Sequence, residues 1–153
     1  MTTQPPSKPV ASRARIFLVD DHPIVRQGLS RLINQESDLT ICGEAQGISE
    51  ALQRCAALKP DLAVVDISLE ESNGLDLIKI CRARFPKLSV LVLSMHKEAL
   101  YAERALRAGA KGYIMKQEAP EKVLLAIRKV LRGEIYLSDG MGNKLLQKLT
   151  EAP

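Results

Sequence analysis

Five short apolar runs, residues 16–19, 39–42, 62–65, 90–93 and 112–115, start 23, 23, 28 and 22 residues apart, and no other feature of the chain constrains its fold as much. The gaps hold stretches of helical period, as in Val25, Leu29, Leu32 and Ile33, or Ile48, Ala51, Leu52 and Cys55, or Val123, Ile127, Val130 and Leu131. The central runs are apolar without the in/out alternation of a half-solvated strand. That is the pattern of a parallel sheet covered by helices on both faces. The expected fold is therefore α/β, a doubly wound parallel sheet of five strands. Punctuation agrees: Pro23 suits a first helical position, Pro60 and Pro86 stand where helices give way to strands, and Gly109 suits a helix C-cap.

At 153 residues the chain has the length of one domain with a single core. Its 46% apolar and 26% charged content excludes disordered and fibrous classes. No apolar run approaches the roughly 18 residues of a membrane span, and the first nine residues lack the apolar segment of a secretory signal. A cytoplasmic protein with no membrane partner is expected. Cys42, Cys55 and Cys81 are odd in number and widely spaced, with only two histidines beside them, which argues against a disulfide framework or a zinc site. The net charge of +4 arises in an acid-free leader carrying Lys8, Arg13 and Arg15, and residues 16–153 carry +19 and −18. With no Trp, three Tyr and two Phe, the chain also lacks stacking platforms for single strands. Its basicity does not point to DNA.

Three segments are expected. Residues 1–14, with Pro5, Pro6 and Pro9, form a leader that cannot pack a core. Residues 15–132 hold five βα units. Residues 133–153 form a linker with an extra marginal helix over 138–149, whose Leu145, Leu146 and Leu149 are read as one apolar face.

Ligands of open parallel α/β sheets bind at the carboxyl ends of the strands. There the first run ends in Asp20 and Asp21, the third in Asp66, the fourth in Ser94 and the fifth in Lys116. Three clustered carboxylates require a shared proton or a hard cation, and Mg²⁺ fits an all-oxygen set. Lys116 adds a second cation, and a carboxylate is a competent nucleophile toward phosphorus, with Asp66 the best placed. Each residue alone has an ordinary explanation, such as Asp21 capping the helix that opens at Pro23. The combination at four strand ends does not.

These stretches, Phe17-Leu18-Val19-Asp20-Asp21-His22-Pro23, Val64-Val65-Asp66-Ile67-Ser68 with Asn73-Gly74 beyond, Leu93-Ser94-Met95-His96, and Gly109-Ala110-Lys111-Gly112-Tyr113-Ile114-Met115-Lys116, resemble the receiver domain of two-component response regulators, in wording like the NarL/FixJ subfamily. The resemblance covers residues 15–132. It implies a flavodoxin-like strand order 2-1-3-4-5, with Asp66 as phosphoacceptor. Asp21, Asp66 and the carbonyl of Ser68 would hold Mg²⁺, Asp20 would act through its waters, and Lys116 would pair with the phosphoryl group. Ser94 and Tyr113 would form a coupled switch that reads out on the fourth helix, fifth strand and fifth helix. Two positions depart from the family pattern: Gln117 replaces a proline, so a trans bond from Lys116 is expected, and Leu69-Glu70 stands where Met-Pro is common. Glu70 and Glu71 add charge beside the loop, and Ser68 and His96 are expected to line the approach of hydrolytic water.

The implied partners are a sensor histidine kinase, a second copy in a phosphorylation-dependent homodimer, and DNA through a helix-turn-helix effector domain. Residues 133–138 resemble the junction to such a domain, but only 15 residues follow Ser138, so an excised receiver is favoured over a stand-alone one. The implied protein is a switch that at most catalyses its own phosphorylation and dephosphorylation. A haloacid dehalogenase-type phosphatase would need Asp-x-Asp-x-Thr where Asp20-Asp21-His22-Pro23-Ile24 stands, and a flavodoxin-like carrier would need a phosphate loop that is absent. A phosphorylation-independent interaction module is the remaining alternative.

Overall fold

The computed structural model describes residues 9, 12–67, 74–95, 99–118, 120–138 and 140–151. Strand β1 (Ala14–Val19) leads to helix α1 (Pro23–Asn34), and the alternation continues through β2 (Leu39–Ala45), α2 (Ile48–Leu58), β3 (Leu62–Asp66), α3 (Gly74–Arg84), β4 (Ser89–Ser94), α4 (Ala99–Ala108), β5 (Gly112–Met115) and α5 (Pro120–Leu131). A two-residue strand β6 (Tyr136–Leu137) and helix α6 (Met141–Glu151) follow. All paired strands are parallel, in the order β2-β1-β3-β4-β5-β6. The first five take the expected order 2-1-3-4-5.

Alternate strand residues divide the core into two layers. Phe17, Val19, Ala63, Val65, Val90, Val92 and Tyr113 point to the face covered by α2, α3, α4 and α6, against Cys55, Leu77, Ile78, Ala102 and Ala105. Ile16, Leu18, Leu62, Val64, Leu91, Leu93 and Ile114 point to the other, against Ile33 of α1 and Val123, Ile127 and Val130 of α5. A strand buried on both sides gains from every residue, about 1.5–3 kcal/mol for each large aliphatic side chain removed from water. This is why the runs carry no polar alternation.

Local signals act as the sequence suggests. Pro23 opens α1, and His22 rather than Asp21 occupies its N-cap position. Lys59 closes α2 in the left-handed region at φ 50°, just before Pro60. Gly109 closes α4 at φ 126°, its N–H donating to the carbonyl of Ala105 at 3.2 Å. The bond from Lys116 to Gln117 is trans.

Two features of the last 20 residues go beyond the sequence reading. Tyr136 donates its N–H to the carbonyl of Lys111 at 3.0 Å and joins the sheet as β6 beside Gly112 and Tyr113; two residues are too few to show a period. Helix α6 turns Met141 and Leu145 into the α4 layer, 5% and 9% exposed, while Leu146 and Leu149 face outward at 61% and 68%. Leu145, Leu146 and Leu149 do lie within about 100° of the helix circumference, but only Leu145 of that face is buried. Residues 145 and 146 stand about 100° apart around a helix, and the pair spaced by four, Met141 and Leu145, wins the contact.

Gly74 starts α3 directly on the backbone of β3. A Cβ there would meet Ile67 Cα at 2.7 Å and the carbonyl oxygen of Asp66 at 2.8 Å. Gly28, in the middle of α1, has nothing within 4 Å of the same added atom. Urea unfolding should therefore show Gly74→Ala less stable by about 1–3 kcal/mol through overpacking, and Gly28→Ala more stable by about 0.5–1 kcal/mol through backbone entropy.

Candidate functional site

The parallel sheet brings the ends of β1, β3, β4 and β5 to one edge, and the side chains there are a cluster of opposed charges. Asp20 follows β1, its N–H donating to the carbonyl of Ala45 at 3.1 Å and its own carbonyl accepting from Arg26 Nη1 at 2.5 Å. Asp66 ends β3 at the centre of the sheet. Lys116 follows β5, its N–H donating to the carbonyl of Ser94 at 2.7 Å. The backbone positions of the charged groups are therefore set by the ladder itself.

Lys116 Nζ stands 3.0 Å from Asp66 Oδ2 and 3.1 Å from Asp20 Oδ2. Both carboxylates are nearly sealed from water, at 1% and 4% side-chain exposure. Burial pulls the Lys116 pKa down, but contact with Asp66 and then Asp20 more than offsets it, and the net shift is upward. Across the cluster, His22 Nδ1 lies 2.9 Å from Asp20 Oδ1, 3.0 Å from Asp21 Oδ1 and 3.9 Å from Asp66 Oδ2. Its pKa is raised, first by the hydrogen bond and charge of Asp20 and then by the charge of Asp21.

The donor atoms of Asp20, Asp21, His22 and Asp66 all lie within 4.8 Å of one another. Two like charges about 4 Å apart cost about 4 kcal/mol at an effective dielectric near 20, so three carboxylates need more than one compensating cation. Among the described residues, Asp20 Oδ2 is buried without a well-directed hydrogen bond, and Lys116 Nζ meets it as an ion pair at 3.1 Å. It thus retains capacity toward a cation or a bound water. Hard carboxylate oxygens in a small cluster, one of them underused, fit the Mg²⁺ expected from the sequence.

Ser94 and Tyr113 are fully buried. Tyr113 pairs in register with Val92, and its ring lies in the layer that contains Ala102 and Ala105 of α4. Ser68, Glu70, Glu71 and His96 lie outside the described residues. The sequence reading missed two groups: His22, quoted only within its motif, and Arg26, whose bond to the Asp20 carbonyl has no signal in a pattern. Cys55 and Cys81 are buried, and burial pushes their thiols up to about 12 and about 11, so neither is a ready nucleophile. Among the described residues, no helix is long and apolar enough to cross a membrane.

The family model of the response regulator receiver domain matches residues 16–128. The DNA-binding transcriptional activator DevR/DosR of Mycobacterium tuberculosis is 35% identical over 138 residues, covering 90% of this chain and 64% of that protein. The oxygen regulatory protein NreC of Staphylococcus haemolyticus is 35% identical over 136 residues, covering 88% and 62%. The crystal structure of a LuxR-family two-component response regulator from Aurantimonas superposes with a TM-score of 0.85 at 33% identity, covering 92% of this chain and all of that one. The chain spans under two thirds of the length of these two curated relatives.

Removing the Lys116 ammonium leaves Asp20 and Asp66 buried without it. In EDTA at pH 7, Lys116→Met should lose about 3–5 kcal/mol in urea unfolding, and a second change, Asp66→Asn, should recover a large part. Because the Lys116 pKa is raised on folding, its contribution is complete below the ordinary value of 10.5 and is lost as pH rises through the higher native value. The gap between wild type and Lys116→Met should therefore hold from pH 7 to about 10 and narrow above.

Proposed function

The chain belongs to the response regulator receiver family, and on that premise we propose that its acidic edge is a phosphorylation-activated switch in which Asp66 accepts a phosphoryl group from a sensor histidine kinase. The observation that carries this reading is the pairing of Asp66 with Lys116 at 3.0 Å, at the central strand end. An Asp66 oxygen attacks the phosphorus of a phosphohistidine, the P–N bond breaks, and the imidazole leaves with the electron pair and takes up a proton. The product is an acyl phosphate on Asp66. Lys116 stands within reach of the new phosphoryl oxygens and would exchange a monoanionic partner for a dianionic one.

Mg²⁺ would be held by Asp21, Asp66 and the carbonyl of Ser68, with Asp20 acting through its waters, and would neutralise the phosphoryl oxygens. Ser68 and His96 would line the path of the water that later cleaves the acyl phosphate, and Glu70 would tune the charge beside it. Ser94 would hydrogen-bond a phosphoryl oxygen, and Tyr113 would respond to its movement. Contact continuity supports that coupling. Tyr113, the alanine face of α4, and Met141 and Leu145 of α6 belong to one packed layer, so a shift at Ser94 has a path to the last helix. Moving a two-state equilibrium from 1:99 to 99:1 needs about 5.5 kcal/mol of differential interaction, and two or three charge-assisted hydrogen bonds at about 1.5–3 kcal/mol each can supply it.

The curated relatives support the larger role: a DNA-binding activator and an oxygen regulator, each longer than this chain. We assign this receiver to transcription regulation through a helix-turn-helix effector beyond its own segment of 15–132, with a phosphorylation-dependent homodimer as the active form. Its cellular location would be cytoplasmic.

The test is Mg²⁺-dependent incorporation of phosphoryl from acetyl phosphate, followed by intact mass, on wild type and Asp66→Asn. One base-labile adduct on wild type alone is expected. An adduct that persists in Asp66→Asn overturns the site, and no adduct on either favours an interaction module that signals without phosphorylation. Sedimentation with and without beryllofluoride should show the dimer only with it; an unchanged oligomeric state removes the dimer from the proposal.

A further inference from the structure

The edge of the sheet opposite Asp66 carries a cavity that the switch leaves unused. It is bounded by the loop joining α2 to β3 and the loop joining α3 to β4, and its volume of about 480 Å³ falls inside the about 300–1,000 Å³ of small-molecule sites. Strand β3 separates it from Asp66, a rise of roughly 13 Å. The walls are apolar, formed by Pro60, Phe85, Pro86 and Leu88 together with the buried Cys55. Lys59, Lys87 and Asp61 supply its charges.

Backbone hydrogen bonds fix both walls. Lys59 donates its N–H to the carbonyl of Cys55 at 2.9 Å, and Arg15 Nη1 donates to the carbonyl of Leu58 and, at 3.3 Å, to that of Lys59. Across the cavity, Phe85 donates its N–H to the carbonyl of Cys81 at 2.7 Å, and Leu88 donates to that of Phe85 at 2.9 Å. Pro60 and Pro86 stiffen the two loops further. Lys59 is the one non-glycine with positive φ among the described residues, at 50°. Glycine takes that conformation without the crowding that a Cβ causes. The chain thus carries an ammonium where its backbone favours no side chain at all.

We propose that this cavity binds a small aromatic monocarboxylate, its ring against the Pro60, Phe85, Pro86 and Leu88 walls and its carboxylate on the ammoniums of Lys59 and Lys87. Charge selects the monoanion: two lysines against one aspartate leave the lining with a single excess positive charge, which one carboxylate neutralises and a phosphate dianion would overshoot. One Asp61 oxygen is already engaged, since Oδ2 accepts the N–H of Arg15 at 2.8 Å. The walls select the body. A sugar or a peptide backbone would give up water there without gaining hydrogen-bond partners, whereas an aromatic ring buries a large apolar area at little conformational cost. The distance from Asp66 exceeds the screening length of about 8 Å at physiological salt, so occupancy of this cavity does not depend on the charge state of the switch.

The experiment is calorimetric titration of the whole chain with sodium benzoate and sodium naphthoate, with naphthamide as the uncharged control and amide chemical shifts to locate the ligand. Wild type should bind naphthoate saturably, with shifts at residues lining the cavity, and should bind naphthamide about tenfold more weakly, the worth of a charge-assisted hydrogen bond. Lys59→Gly and Lys87→Gln should each weaken naphthoate by about threefold or more and leave naphthamide within about twofold. A Tm of Lys59→Gly no lower than that of wild type will show that a contact was lost and not the fold. Ala56→Trp, which fills the cavity from an exposed lining position, should abolish binding of both. Failure of both acids to bind at millimolar concentration, equal affinity for acid and amide, or shifts confined to the Asp66 edge overturns the inference. Asp66 phosphorylation is scored separately: its absence would remove the switch reading and leave the naphthoate to naphthamide ratio a valid test of this site.

Discussion

Three carboxylates brought to one edge by parallel strands repel each other, and the rest of the site is organised around that repulsion. Asp20 and Asp66 are nearly sealed from water, so solvent does not screen them. Lys116 answers from the end of β5, and its ammonium keeps its charge because its contacts with both carboxylates outweigh its burial. His22 answers from the mouth. The strands that carry these residues are held by two packed hydrophobic layers, and a site of this charge could not persist on a loosely packed edge. Stability elsewhere sustains electrostatic tension here.

Most of the fold was legible because burial on both faces writes itself into composition. A strand covered on one side would alternate, and the runs at 62–65 and 90–93 do not, so the sandwich and its crossover helices follow from hydrophobicity alone. The same logic located the site, since strand ends in a parallel sheet share an edge whatever the loops do. Asp20, Asp21, Asp66 and Lys116 converge as their positions in the strand pattern required.

The features that were not legible are those that depend on rotation and on side-chain direction. Leu145 and Leu146 are neighbours in sequence and part company on the helix, and only the contact with α4 decides which of them is buried. His22 reads as one letter of a motif, and nothing in a linear pattern says that its ring turns toward the carboxylates and not toward water. Arg26 reaching the Asp20 carbonyl and Gly74 resting on the Asp66 carbonyl are likewise products of close approach between segments distant in sequence. Pattern gives faces and edges; tertiary contact gives directions.

The short β6 strand has a consequence for solubility. A parallel sheet that stopped at β5 would present Gly112–Met115 as a run of unpaired backbone groups, a template on which another chain could add a strand. By pairing Gly112 and Tyr113 with Tyr136 and Leu137, the chain covers half of that template with its own backbone. Residues 136 and 137 thus shorten the stretch of β5 backbone on which a further strand could add.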